Sequence, residues 1–99
     1  MACSVFFHPE AADELERLDA PVRRAVIKKV ARIAEDPRIG KPLGNRAGTD
    51  LSGYFKVYAD ARRIRIVYRA DKAQVTVFIV AVGRREGLEV YTAAGGRVK

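Results

Sequence analysis

AQVTVFIVAVG, residues 73–83, is the longest apolar run in the chain. Read with a period of two, Val75, Val77 and Ile79 point one way and Phe78, Val80 and Val82 the other. Both faces are apolar, as an interior strand should be. Such a strand belongs inside a sheet, and its neighbours must come from upstream.

Two segments qualify. In RRIRIVYR (62–69), Ile64, Ile66 and Tyr68 alternate with Arg63, Arg65, Val67 and Arg69. In YFKVY (54–58), Phe55 and Val57 alternate with Tyr54, Lys56 and Tyr58. Residues 59–62 and Asp71-Lys72 are short connections, so the three strands form an antiparallel meander. Further upstream, residues 38–52 hold three glycines, Pro42, Asn45 and Asp50. They read as one long basic loop carrying Arg38, Lys41 and Arg46, either a solvated linker or a phosphate contact.

The first third of the chain is helical. Pro9 suits a first helical position, and Glu10, Asp13 and Glu14 sit near the positive end of the helix dipole. Ala11, Leu15 and Leu18 share a face. Asp19-Ala20-Pro21 breaks this helix and starts a second, from about Pro21 to Glu35, with Val22, Val26, Val30 and Ile33 as its buried stripe. Arg24, Lys28 and Arg32 form its outer row, and Asp36-Pro37 ends it. Residues 3–7 are apolar and β-prone, a short first strand. After Gly83 a short helix is expected around Glu86 to Ala94, stopped by Gly95-Gly96. The expected fold is α+β, one domain over residues 1–99 in the order β-α-α-β-β-β-α. It has a twisted antiparallel sheet with a helical hairpin on one face and an open, basic face opposite.

Nineteen Lys and Arg against twelve Asp and Glu give a net charge of +7. A surplus of this size on a small domain suits an anionic partner such as nucleic acid, an acidic protein or an anionic membrane surface, unless the surface is merely well solvated. Cys3 is the only cysteine, so no internal disulfide forms, and a reducing cytosolic setting is expected. No apolar stretch is long enough to span a membrane, and no signal peptide is visible. His8 is the only histidine and stands at a helix start, in a capping or surface role rather than a catalytic one. No Cys/His cluster, P-loop or nucleophile–base pair is evident, so no metal or cofactor is expected.

The open face carries the chemistry. With a four-residue connection at 59–62, Tyr58 opposes Arg63 and Lys56 opposes Arg65. Like charges paired across strands destabilise a sheet by some tenths of a kcal/mol, a repulsion that a bound phosphate removes. Arg84 and Arg85 stand at the exit of the adjacent strand, from which Arg85 reaches the same spot. Tyr54 and Tyr58 share the face, and Tyr91 follows in VGRREGLEVY (82–91). Aromatic rings among cations suit single-stranded RNA, whose bases can stack.

The ordered set EDPRI (35–39), YFKVY, RIRIVYR, VFIVAVGRRE and EVY resembles the RelE family, the ribosome-dependent mRNA-cleaving toxins of bacterial toxin–antitoxin pairs. The resemblance covers nearly the whole chain. It implies mRNA cleavage in the ribosomal A site by attack of a ribose 2′-hydroxyl on the adjacent phosphate, without metal, and neutralisation by a cognate antitoxin. It places Lys56, Arg65, Arg85 and Tyr91 at the active positions. Arg85 would stabilise the phosphate and assist the leaving oxygen, Lys56 and Arg65 would hold the phosphate, and Tyr91 would stack on the nucleotide. Lys41, Arg46, Tyr54, Arg63 and Arg84 are further candidates for RNA contact. Where the family often carries a second lysine, this chain has Tyr58, either a base with a lowered pKa or a stacking residue. Two alternatives follow: a ParE-like toxin that inhibits DNA gyrase without cleaving RNA, and a catalytically weakened relative that only binds RNA or antitoxin.

Overall fold

The apolar run does lie inside a sheet. The computed structural model describes residues 3–46, 49–71, 73–84 and 94–97, with the backbone alone at 45, 46, 49 and 50. Its elements are β1 (Ser4–Phe7), α1 (Pro9–Glu16), α2 (Ala20–Glu35), a 3₁₀ turn (Pro37–Ile39), β2 (Lys41–Arg46), β3 (Thr49–Ala59), β4 (Ile64–Asp71) and β5 (Thr76–Arg84). Residues 94–97 add a helical turn. The strands lie in the order β1-β5-β4-β3-β2. The β3-β4-β5 meander is antiparallel as expected. β1 joins β5 in parallel, so the sheet is mixed.

The helices begin and end for local reasons. His8 caps α1, its Nδ1 accepting from the Glu10 N–H, with Pro9 at the next position. α2 starts after Asp19 and stops at Asp36, which is extended at φ −147 ahead of Pro37. Val26, Val30 and Ile33 of α2 and Ala11 of α1 pack on Val57, Ile64, Ile66, Tyr68, Val77 and Ile79 of the sheet. A second, smaller cluster of Leu43, Leu51, Val67, Val80, Ala81 and Ala94 covers part of the opposite face.

Residues 38–52 correct the expected long loop. They contain β2 and the start of β3, joined across a bulge where Gly53 takes a φ of 85°. Its glycines and Pro42 hid the strand from a reading based on composition. The 3₁₀ turn before it is pinned by Tyr68, which is fully buried. The Tyr68 hydroxyl donates to the Pro37 carbonyl at 2.7 Å and accepts the Gly40 N–H at 2.9 Å.

β5 also departs from simple alternation. It starts at Thr76 rather than residue 73, after a turn in which Asp71 Oδ1 accepts the N–H groups of Ala73 and Gln74 and Val75 takes a φ of 51°. The ladder to β4 slips between Val67 and Tyr68, leaving Val80 as an extra residue. Val80 and Ala81 therefore both face the second cluster, while Val82 joins the helix-side core instead of following Phe78 and Val80. Side chains serve the bulge. Arg97 Nη1 donates to the Val80 carbonyl at 2.9 Å, and Glu14 Oε1 accepts the Val82 N–H at 3.1 Å. Arg97 also ion-pairs with Glu14 at 2.7 Å and Glu10 at 2.9 Å. Burial of Ala94 and this clamp hold a helical turn through Gly95-Gly96, where the helix had been expected to stop; the helix expected around Glu86 to Ala94 lies, Ala94 apart, outside the described residues.

Candidate active site

The hairpin between β3 and β4 sets the site. Its turn spans residues 60–63, one residue later than expected, closed by the Arg63 N–H to the Asp60 carbonyl at 3.0 Å. The shift buries Ala59 and Ile64 as a pair against the helices, each 4% exposed. It moves every cross-strand pair by two residues and so keeps each side chain on its expected face. Tyr58 thus opposes Arg65, and Lys56 opposes Val67, where the sequence had suggested Arg63 and Arg65 as the partners. Arg63 lies in the exposed turn, not in the strand.

The consequence is a phenol set among cations. Lys56 Nζ donates to the Tyr58 hydroxyl at 3.1 Å. Lys56, Arg62 and Arg65 lie 5.3, 5.2 and 5.6 Å from the Tyr58 ring centroid. Hydrogen bonding from Lys56, then from Arg65, outweighs partial burial and lowers the Tyr58 pKa to about 8. Arg65 is buried, with only 7% of its surface exposed. The turn that aims Arg62 is costly: Asp60, Ala61 and Arg62 take φ values of 53, 54 and 71°. A non-glycine residue in this region costs of order 1 kcal/mol. Such strain collects where structure serves function.

The other candidates divide. Lys41 lies directly opposite Lys56 and borders the same cleft as Tyr58. Tyr54 is on the same face but belongs to a separate hollow with Phe6, Arg69 and Phe78. Arg84 pairs with Ile64 and so ends β5 on the helix-bearing side, exposed. Arg46 pairs with Thr49 through the backbone. Arg85 and Tyr91 lie outside the described residues. The sequence reading missed Arg62, whose signal was its place next to Arg63 in the turn.

Comparison with known proteins decides the family. The model for the "ParE toxin of type II toxin-antitoxin system, parDE" matches residues 5–88. The mRNA interferase toxin RelE of Escherichia coli K12 is 32% identical over 100 residues, covering 99% of each chain. The chain belongs to the RelE/ParE family of type II toxins. The solved structure of a double-arginine mutant of E. coli toxin RelE in its free state matches all of both chains with a TM-score of 0.78 and 30% identity. The intact E. coli RelBE toxin-antitoxin complex contains a chain matched over 87% of this toxin and all of its own length, with a TM-score of 0.69 and 28% identity. Among the toxin's described residues no helix is long and apolar enough to cross a membrane.

Proposed function

We propose that this toxin is a ribosome-dependent mRNA endoribonuclease acting in the A site, held inactive by a cognate antitoxin. One observation carries the reading: Tyr58 is set between Lys56 and Arg65 and its phenol titrates at about 8. Deprotonated, Tyr58 takes the proton of a ribose 2′-hydroxyl. The 2′-oxygen bonds to phosphorus, the bond from phosphorus to the 5′-oxygen breaks, and a 2′,3′-cyclic phosphate remains while the 5′-oxygen is protonated. Lys56 and Arg65 neutralise the phosphate charge that grows along this path. Arg85, one residue past the end of β5, is assigned to the leaving oxygen, and Tyr91 to stacking on the base. The ribosome supplies the alignment of hydroxyl and phosphate. The relatives named mRNA interferase and the RelBE complex support both the activity and the antitoxin partner.

The match to the ParE model favours a second reading, inhibition of DNA gyrase by binding alone. One experiment separates them. The toxin is induced without antitoxin, and 5′ ends are mapped on a translated and an untranslated copy of one mRNA. Cuts confined to translated codons support the nuclease. Growth arrest with DNA-damage signalling and intact mRNA supports the gyrase inhibitor.

A further inference from the structure

β2 begins opposite Lys56, so residues 57–59 of β3 have no strand on that side among the described residues. Beside this open edge lies a cleft of about 330 Å³ lined by Lys29 and Arg32 of α2, Lys41 of β2, Lys56 and Tyr58 of β3, and Arg62 of the strained turn. The volume is at the low end for small-molecule sites, with room for a sugar-phosphate unit. Five cations from four parts of the chain converge on it, and among the described residues no carboxylate lines it. None of the five forms an ion pair among the described residues, although carboxylates elsewhere bind Arg38 and Arg97.

We propose that this cleft is a second phosphodiester subsite, in which Lys29, Arg32, Lys41 and Arg62 bind the RNA backbone phosphate next to the one being cleaved. The inference rests on the nuclease reading and extends it. Tyr58 and Lys56 border both places, so a strand with one phosphate between Lys56 and Arg65 runs along the free edge of β3 toward α2. Lys41 directly opposite Lys56 is unfavourable for the sheet alone, and a bound phosphate relieves it. Lys29 and Arg32 are three residues apart, neighbours on one helix face and able to share a single phosphate.

The test is binding rather than cleavage, so it stands apart from the mapping experiment. A short fluorescent single-stranded oligoribonucleotide, blocked by a 2′-deoxy sugar at every position but its ends, is titrated with toxin at several salt concentrations. Lys29→Gln/Arg32→Gln should bind about tenfold more weakly at low salt. Its plot of log affinity against log salt should flatten by about 0.7, one lost phosphate on a single strand. Arg24→Gln/Lys28→Gln removes the same charge from the same helix outside the cleft and should keep the wild-type slope. Arg62→Gln, in the exposed turn, repeats the measurement should the helix variant fold poorly. Equal slopes for the cleft and control variants would overturn the proposal. So would a wild-type toxin that does not bind the oligonucleotide, or cleft variants that lose antitoxin binding while keeping RNA binding.

Discussion

At the scale of single residues, Tyr58 carries the most consequence. Its face was legible in the sequence, because alternation in YFKVY puts it with Lys56. Its partner was not, because the pairing depends on which four residues make the turn, and burial of Ala59 with Ile64 decides that. The outcome puts Lys56 and Arg65 on either side of the phenol rather than against each other. A pKa lowered from 10.0 to about 8 makes two expectations. Ultraviolet titration should show one phenol ionising near pH 8, absent in Tyr58→Phe and moved upward in Lys56→Ala. Single-turnover cleavage on programmed ribosomes should rise with pH through about 8 and level off above it, since the deprotonated form is the base. In Tyr58→Phe that rise should vanish with a loss of about 100-fold or more. A wild-type pH profile flat from 7 to 9 excludes Tyr58 as the base. The same shift makes folding more favourable as pH climbs from about 8 toward 10, because only the unfolded chain still holds the proton there.

At the scale of elements, both helices and the meander followed from periodicity, capping residues and Pro37. β2 did not, because its identity lies in tertiary contacts. Gly40 shows why. A Cβ there would collide with the Tyr68 ring and hydroxyl, so the glycine lets a buried tyrosine brace the 3₁₀ turn that launches β2. Gly40→Ala should therefore destabilise the fold by about 2 kcal/mol through overpacking and loss of the bond to Tyr68. The gentler Tyr68→Phe, which leaves Pro37 and Gly40 without their shared partner, should cost about 1 kcal/mol, both read from urea unfolding. The bulge in β5 was equally invisible, since Arg97 and the residues it serves are far apart in sequence. Arg97 is 10% exposed and bonded to Glu10, Glu14 and the Val80 carbonyl, so Arg97→Ala strands a half-buried carboxylate. A loss of about 2 kcal/mol, or a Tm lowered by about 10 °C, is expected, and Glu14→Gln/Arg97→Ala should recover part of it. A double variant no more stable than Arg97→Ala would show that Glu14 is not the group left exposed.

At the scale of the whole molecule, charge and packing act in opposition. The chain carries +7, and its cations are not spread evenly: Lys29, Arg32, Lys41, Lys56 and Arg62 crowd one cleft beside Tyr58. The excess was plain from composition, but its concentration depends on α2, β2 and the hairpin turn meeting, which no local pattern records. Crowded like charges repel in the free protein and attract an anionic strand in the complex. Salt must then move stability and binding in contrary directions. Raising monovalent salt from about 0.05 to 0.5 M shortens the screening length from roughly 14 to 4 Å and weakens repulsion within the cleft. The partly buried Arg97–Glu14 pair is screened much less. The free toxin's Tm should consequently rise with salt, while its affinity for ribosomes falls as a straight line on a log–log plot. Thermal melts and ribosome co-sedimentation over one salt series measure both. A Tm that falls across the series would mean that exposed ion pairs, rather than the basic cleft, dominate the electrostatics of the free protein.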